Sequence, residues 1–429
     1  MSITLSKHHK KHILSLGLIP TPLRHRLMRR MIRLPGVPSG ITYEIARTRE
    51  DLDAAFALVY RAYRREGITR PVPSQQRVTL FHALPSTTTL VAKKGDTVVA
   101  TVSVVRDGCF GLPSDDLADL NLHRIPGKRL AEVSSLALRP DLHGQAAGVM
   151  FYLSKYMILY SRDYFGVDGF IIAVHPRRLG LYQGIFLFSP LAGGRVKSHS
   201  FANNAPAVVA VRDFDTAEAD FRKAYRNVPP LRNLYQFVFD PMGPEETRTM
   251  KFPLRSFAVI SDPVMSPGLM HRYFRKNTDL FSRIDPCRMA QLRHVYPSSG
   301  FSRVLGNAKG SPSRNRQSHM RFDTKCHGMV CPGSTPDARV VTVLEVSESA
   351  MQVLARPGLP ADRDLTFFIV TQNRQTARVT GRTIWSEGPV HGICLTRIDA
   401  AWQAYVRFQK DCRLFSHQAS PRTAGNAAL

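Results

Sequence analysis

The spacing of apolar residues between Leu130 and Phe188 changes in an order typical of one β-α-β unit. Residues 130–140 read LAEVSSLALRP and predict a strand, and residues 141–165 predict a glycine-bearing loop that leads into a helix. A second strand, GFIIAVHP, begins shortly after that helix, and the segment RRLGLYQGIFLF follows it. Since strands joined by a helical crossover pair in parallel, we expect the two strands to lie side by side.

The loop between the first strand and the helix suggests an anion-binding site. A glycine loop that opens a helix leaves several backbone N–H groups free around a pocket that suits phosphate. A donor with a nucleotide or phosphopantetheine tail fits such a pocket, so the pattern indicates a transferase.

Patterns on both sides extend this unit into an α+β domain. One of them is a helical stripe formed by Leu52, Phe56, Val59 and Tyr63. In chain order the flanking elements are a helix at 50–67 that stops at Gly67, a hairpin at 87–105 with its turn at Lys94-Gly95-Asp96, a strand at 205–214 and a helix at 216–226.

The remainder of the chain predicts a helical extension and a small β-barrel. Two helices in the extension have N-terminal caps, Ser266 before Pro267 and Asp285 before Pro286. Five short strands at barrel-like spacing and a final helix, AAWQAYVRFQKD, follow a linker. We therefore expect a basic amphipathic arm at 1–39, an α+β domain at 40–240, the helical extension and linker at 241–310, the β-barrel at 311–412 and a disordered tail at 413–429.

The net charge of +26 is concentrated outside the α+β domain. Residues 1–40 hold eight Lys or Arg and no Asp or Glu, and residues 248–325 hold fifteen basic and four acidic residues. In the arm, Leu23, Leu27 and Met31 recur every fourth residue among five arginines. Two interpretations stay open: a helix on an anionic membrane, or a solvated basic helix packed on its own domain. Nucleic acid ranks third because no DNA- or RNA-binding motif accompanies the charge.

The composition and the lack of a targeting segment predict a cytoplasmic protein. If the basic arm binds a membrane, we expect it to do so at the inner membrane face. No run of 18 apolar residues occurs, and the N-terminal segment lacks the long apolar core of a signal peptide. Cys326, His327 and Cys331 lie close together but lack a fourth ligand at zinc spacing. We expect reduced thiols and no metal.

Residues 41–300 resemble the N-acyl amino acid synthases of the FeeM type, a branch of the GNAT acyltransferase superfamily related to the LuxI-type autoinducer synthases. The resemblance rests on VYRAYRREG, TTTLVAKKGDTVVATVSVV, LAEVSSLAL, VDGFIIAVHPRRLGLYQGIF and RYFRKNTDL, in this order and spacing. It implies a GNAT-like fold and an acyl-phosphopantetheine donor, from acyl carrier protein or acyl-CoA, without a permanently bound cofactor.

The resemblance also implies the roles of individual residues. The strand with Leu136 and Leu138 would bind the pantetheine arm, and a break in its alternation after Ser134 indicates a bulge. Gln145 and Gly148 match the family's phosphate loop, whereas Met150 departs from it and favours a carrier protein over CoA. The resemblance also implies catalytic roles, because amide formation needs a base for the amine and an acid for the thiolate. The candidates are Glu132 as base, Tyr182 as acid and His175 as a second base.

Other positions depart from the family pattern. Ser135 stands where the autoinducer synthases have an arginine, and Arg178 stands where the family usually has a histidine. These substitutions concern the acceptor side of the site. Without the resemblance, Glu132 would be a solvated or paired strand residue, Tyr182 a packing aromatic and His175 a strand-end hydrogen-bonding residue.

Residues 311–410 resemble a PilZ domain, the small bacterial β-barrel that binds cyclic di-GMP. The resemblance rests on SRNRQSHMRF, VTVLEVSESAMQV and RVTGRTIWSEGPVHGICLTRI. It implies that Arg314, Arg316, Arg321 and Ser347 bind cyclic di-GMP, although the arginine spacing and the residues around Ser347 differ from the family motifs.

Together these patterns predict a bacterial N-acyltransferase that joins a fatty acyl group to an amino acid or similar amine, with an attached PilZ-like barrel. Its expected partners are acyl carrier protein and an anionic membrane. The alternative is a non-catalytic signalling or scaffold protein in which the acyltransferase and cyclic di-GMP sites have decayed.

Overall fold

A computed structural model describes most of the chain. The described residues are 20–108, 110–120, 123, 128–142, 144–254, 265–296, 299–306, 322–331, 338–355, 358–361, 363–371, 375–387 and 390–407. They divide into two compact units, the first ending at Arg283 and the second beginning at Ile284. The predicted linker beyond Gly306 and the predicted tail lie outside the described residues.

The first unit is an α+β fold, as the sequence pattern predicts. Its elements are α1 (Thr21–Met31), β1 (Ile41–Ile45), α2 (Arg49–Arg65), β2 (Thr87–Lys94), β3 (Thr97–Arg106), β4 (Leu130–Leu138), α3 (Ala146–Leu159), β5 (Gly169–Val174), α4 (Pro176–Phe186), β6 (Ser189–Pro190), β7 (Lys197–His199), β8 (Ala205–Asp213), α5 (Phe214–Tyr225), α6 (Leu234–Phe239), α7 (Pro244–Thr249) and α8 (Pro267–His271).

The strands form one sheet in the order β1-β2-β3-β4-β5-β8-β6, with β7 paired to β8. Of these pairs only β4–β5 is parallel, as the β-α-β pattern predicts. Helix α3 packs on the sheet through Val149, Leu153 and Tyr156, which join Tyr43 and Val102 in the main hydrophobic core. Helix α2 contacts β3 and β4. The sheet therefore holds β4 and β5 at its centre, between helices that fix their positions.

Local signals in the sequence explain where several helices begin and end. The Thr48 side chain caps α2 by accepting from the Asp51 N–H, and Gly67 takes a left-handed φ of 73° beyond its end. Ser266 caps α8 and Asp285 caps the first helix of the second unit, as predicted. None of the helices in the described ranges has both the length and the apolar character needed to cross a bilayer.

The second unit is a closed antiparallel barrel preceded by two helices. Its elements are α9 (Pro286–Val295), α10 (Ser299–Leu305), β9 (Phe322–Cys331), β10 (Arg339–Val346), β11 (Ala350–Ala355), β12 (Leu365–Val370), β13 (Thr376–Glu387) and β14 (Val390–Ile398). The strand order is β10-β11-β14-β13-β12-β9. The predicted final helix is present at 400–407, and Trp402 and Tyr405 pack into the barrel core. Strand β9 is a sixth strand that the apolar pattern did not predict.

Candidate active site

The parallel strands β4 and β5 separate after three paired positions. Pairing runs from Leu130–Gly169 to Glu132–Ile171 and is not continued beyond them. The separation opens a cleft of about 600 Å³ whose walls come from both strands, α2, α3 and α4. Backbone groups of β4 that would otherwise bond to β5 face this cleft, so they are available to an extended ligand that adds along the strand.

A β-bulge lies where the broken alternation predicts it. Ser135 and Leu136 together face a single residue of β3, because the register shifts between the Thr101–Ala137 and Ser103–Ser134 pairs. Ser135 has a left-handed φ of 53°, a strained conformation for a residue that is not glycine. The bulge turns residues 134–136 toward the cleft, which all three line.

Glu132 lies at the closed end of the separation and is 2% exposed. Its Oε2 accepts a hydrogen bond of 2.8 Å from the Ser114 backbone N–H. Burial raises the pKa of Glu132 to about 8, against the opposing effect of the Ser114 contact, and Asp115 and Asp116 raise it further. A carboxyl poised near pH 8 inside a cleft is suited to take a proton from an amine.

Tyr182 projects from α4 into the same cleft. Its ring packs against Phe186 and Phe188, with centroids 5.9 Å and 6.0 Å away. Burial raises the pKa of Tyr182, the Arg178 guanidinium lowers it, and Tyr63 raises it. The phenol is therefore protonated at neutral pH and keeps a proton to donate.

His175 occupies the N-terminal cap of α4 at an exposed position on the cleft. Its Nδ1 accepts a hydrogen bond of 3.3 Å from the Arg177 backbone N–H. The His175 side chain therefore caps α4 and also lines the cleft.

The remaining predicted donor-site residues do not all reach the cleft. Leu136 lines it, whereas Leu138 lines a smaller pocket beside Arg61 and Arg139. Gln145 takes the N-terminal cap position of α3. A Cβ added to Gly148 would lie 2.8 Å from Cγ of Pro38, so the segment before β1 covers this part of the helix.

Arg77 is a cleft residue that sequence patterns did not indicate. Its guanidinium lies 4.9 Å from the centroid of the Tyr63 ring and donates to the Phe201 carbonyl oxygen. The Nε atom is buried and has no hydrogen-bond partner among the described residues, and no described carboxylate pairs with the side chain. Burial lowers the pKa of Arg77, while Tyr63 raises it. Within the described part of the chain, Arg77 is thus a guanidinium in the cleft without an ion-pair partner.

Two histidines beside Arg77 were also not predicted. Burial lowers the pKa of His82 to about 4, and its Nδ1 accepts from the Thr79 backbone N–H at 3.1 Å. Burial also lowers the pKa of His199, against the effect of Asp116, and Arg77 lowers it further. Both rings are therefore neutral at pH 7 and add no positive charge.

An ion pair links two elements that line the cleft. Nη2 of Arg178, on α4, lies 3.1 Å from Oε2 of Glu66, which follows α2. Both side chains line the cleft and are about one-third exposed. Arg178 therefore serves at least as a clamp between α2 and α4.

In the barrel, Ser347 lies in the tight turn between β10 and β11. Its hydroxyl exchanges two hydrogen bonds of 3.0 Å with the backbone of Ala350. Its carbonyl oxygen accepts a bond of 3.3 Å from the Trp402 indole. Arg314, Arg316 and Arg321 lie outside the described residues. Within the described ranges no cluster of three or more potential metal ligands occurs, and Cys326, Cys331 and Cys394 form no disulfide bond there.

Comparison with known proteins finds similarity over the part of the chain that forms this cleft. Residues 54–213 match the family described as N-acyl amino acid synthase FeeM. The structure of FeeM, an N-acyl amino acid synthase from uncultured soil microbes, is 25% identical over 42% of this chain and 93% of its own, with a TM-score of 0.35. Escherichia coli ElaA is 14% identical over 40% of this chain and 99% of its own, with a TM-score of 0.29.

A further similarity concerns Bacillus subtilis inhibitor of motility (MotI/DgrA). It is 15% identical over 24% of this chain and 56% of its own, with a TM-score of 0.20. A search of the curated proteins found no match. The family match spans β4, β5 and the cleft between them, and the protein is accordingly an N-acyltransferase.

Proposed function

We propose that this enzyme transfers a fatty acyl group from a phosphopantetheine thioester to the amine of an amino acid or similar acceptor. The observation that carries the proposal is the buried Glu132 carboxyl, with a pKa of about 8, at the point where β4 and β5 separate. An acyl donor that lies along β4 would bring its thioester beside this carboxyl. The match to N-acyl amino acid synthases supports an amino acid as the acceptor.

The lining of the cleft supports a fatty acyl chain as the transferred group. Apolar side chains from three elements face the cavity, including Val102 on β3, Met157 on α3 and Phe170 on β5. Burying an acyl chain against such a surface contributes roughly 0.8 kcal/mol for each methylene. An acetyl group would leave most of the 600 Å³ unfilled.

The covered face of α3 supports an acyl carrier protein as donor, with acyl-CoA as the other thioester. Pro38 lies against Gly148 in the first turn of α3, where a pyrophosphate would need a close backbone approach. A carrier's prosthetic group brings a single phosphate and needs less of this surface. The exposed Arg61 and Arg65, beside the smaller pocket at the end of β4, add positive charge for an acidic carrier.

Arg77 supports an acceptor that carries a carboxylate. A guanidinium in a desolvated site is costly unless an anion pairs with it. Glu132 is mostly protonated at pH 7, Glu66 pairs with Arg178, and no described carboxylate lies within ion-pair distance of Arg77. The carboxylate of an amino acid would fill this place while its amine points toward Glu132.

The positions of Glu132 and Tyr182 suit the two proton transfers that amide formation requires. The neutral amine attacks the thioester carbonyl carbon, and the ionised Glu132 takes a proton from the nitrogen as the C–N bond forms. The C–S bond then breaks, and the Tyr182 hydroxyl donates its proton to the departing sulfur. The products are an amide and a free thiol, and proton exchange with solvent restores both side chains.

Expression in a bacterium followed by extraction of lipids tests this function. Mass spectrometry should detect N-acyl amino acids that are absent from the empty vector and from cells with Glu132→Gln. Purified enzyme supplied with acyl carrier protein thioesters and acyl-CoA then ranks the two donors. A lipid profile identical to that of the empty vector, with no transfer from either donor in vitro, would contradict the proposal. That result would favour the alternative of a non-catalytic signalling or scaffold protein.

We propose that the barrel either regulates the enzyme by binding cyclic di-GMP or serves as a docking element. Calorimetric titration with cyclic di-GMP distinguishes these two roles. Heat of binding that disappears in Arg314→Ala and Arg321→Ala assigns nucleotide regulation. The engagement of the Ser347 hydroxyl within its own turn supports docking instead. Absence of heat at high micromolar nucleotide would leave docking as the role.

A further inference from the structure

Helix α1 has two apolar faces, and only one of them packs on the first unit. The packed face carries His25 and Met28, which lie against Gly184 of α4 at 3.0 Å and 3.2 Å from where its Cβ would be. Arg29 Nη1 donates a hydrogen bond of 2.8 Å to the Gly184 carbonyl oxygen. Of the two sequence-based interpretations of the arm, packing on its own domain is thus realised, through residues other than Leu23, Leu27 and Met31.

The three apolar residues that recur every fourth position in the arm lie on the other face and are exposed. Leu23 is 57% exposed, Leu27 38% and Met31 40%. At 3.6 residues per turn these three side chains fall within an arc of about 80°, so they form one continuous ridge. Leu231 is also exposed, at 68%. Its carbonyl oxygen accepts a hydrogen bond of 2.8 Å from the N–H of Leu34, which follows α1. These four are most of the exposed large apolar side chains described in the first unit.

Arginines border the ridge on both sides. Helical spacing places Arg24 on one side and Arg26 and Arg30 on the other. None of the three forms an ion pair with a described carboxylate, and residues 1–40 contain no acidic residue at all. An apolar ridge flanked by unpaired cations is the composition of helices that lie in the interface of an anionic bilayer.

We propose that the outer face of α1 seats the first unit on a lipid bilayer rich in anionic headgroups, with the ridge among the acyl chains and the arginines at the phosphates. The helix is already formed and held by α4, so binding needs no folding of this segment. A second copy is disfavoured, because a symmetric contact through the ridge would bring Arg26 and Arg30 against their own equivalents. An acidic protein partner is disfavoured, because the centre of the ridge is apolar and convex.

Flotation of the full chain with lipid vesicles tests this proposal without any acyl donor, so its outcome is independent of the transferase reaction. Vesicles of phosphatidylcholine alone are compared with vesicles that contain about 30% phosphatidylglycerol. We expect binding to the second kind only, weakened by about 0.5 M salt. Neutralising Arg24, Arg26 and Arg30 to Gln should weaken it about 100-fold.

Matched variants separate the ridge from general surface effects. Leu23→Ser, Leu27→Ser and Met31→Gln together should abolish vesicle binding. The control removes three exposed apolar residues elsewhere, Val196→Ser, Met242→Gln and Leu254→Ser, and should bind as the parent does. Thermal unfolding monitored by circular dichroism verifies that each variant folds.

Four outcomes would overturn the proposal. They are equal binding to both kinds of vesicle, retention of binding in the ridge variant, binding that appears only after removal of residues 1–19, and a ridge-dependent dimer seen by sedimentation velocity in place of vesicle binding. The third would show that the preceding segment covers the ridge, and the fourth would assign the ridge to a second copy.

Discussion

The Ser114 backbone N–H donates a hydrogen bond of 2.8 Å to Oε2 of Glu132. This bond fixes the carboxyl within the cleft but does not offset its burial, because the pKa of Glu132 is still raised to about 8. The pair joins the short helical turn at Pro113–Asp116 to the central strand β4. Glu132 is thereby held in one orientation with a proton affinity close to that of an amine.

The rate of acyl transfer should depend on the ionisation of Glu132. Below its pKa the base is protonated and inactive, so kcat/KM should rise about tenfold per pH unit up to about pH 8 and then level off. Glu132→Gln should be about 100-fold slower and lack this rise. The control is an acceptor whose amine is neutral across the whole range. A rise that persists in Glu132→Gln with this acceptor would assign the titration to another group.

Glu132 should also make the first unit less stable as the pH increases. Its folded pKa lies above the ordinary value of 4.5, so its contribution to stability is fully present below pH 4.5 and is lost as pH rises through about 8. The loss is about 1.4 kcal/mol of unfolding free energy per pH unit within this window. Glu132→Gln should therefore melt higher than the parent by a margin that grows from pH 5 to pH 8. Calorimetric melting curves that differ by a constant amount would contradict this.

Tyr182→Phe should slow transfer from alkyl thioesters by about 100-fold, because the departing thiolate loses its proton donor. An aryl thioester releases a more stable thiolate and needs less assistance, so the same variant should lose much less activity with it. Single-turnover rates with the two donors provide the comparison. Packing against Phe186 and Phe188 is unchanged by the substitution, and equal losses with both donors would reduce Tyr182 to a packing residue.

Arg77→Gln should raise KM for amino acid acceptors by about tenfold to 100-fold, since a charge-assisted hydrogen bond is lost. The corresponding amines without a carboxylate should be used equally well by variant and parent. Arg77→Lys should recover part of the loss. Arg70→Gln is the matched control, because Arg70 is exposed and, among the described residues, its side chain bonds to Asn203 Oδ1 at 3.0 Å. A similar loss for amines and amino acids would argue against carboxylate recognition.

Elements of the site that rest on local pattern were predictable from the sequence. The spacing of apolar residues determines β4, α3 and β5, and the irregular alternation after Ser134 marks the bulge. Arg77 was not predictable, because the loop that carries it has no periodic pattern and its place depends on Phe201, far along the chain. The contact between Pro38 and Gly148 was not predictable for the same reason, because the two residues are far apart in the sequence.

The barrel shows how one residue type can be required by a contact across the sheet. Gly392 pairs directly with Trp385 on the neighbouring strand, and a Cβ at this position would lie 2.1 Å from Nε1 of the indole. The Trp385 indole therefore occupies the space that a side chain at position 392 would fill. Any larger residue at position 392 must therefore displace the tryptophan.

Gly392→Ala should lower the free energy of unfolding of the second unit by about 1–3 kcal/mol, the usual cost of overpacking. Gly358→Ala is the control, because its nearest neighbour, Cε1 of His391, would lie at an ordinary 3.4 Å. Both tryptophans of the chain, Trp385 and Trp402, lie in the second unit, so tryptophan fluorescence during denaturant unfolding reports this unit alone. Equal midpoints for the two variants would show that the indole can move aside without cost.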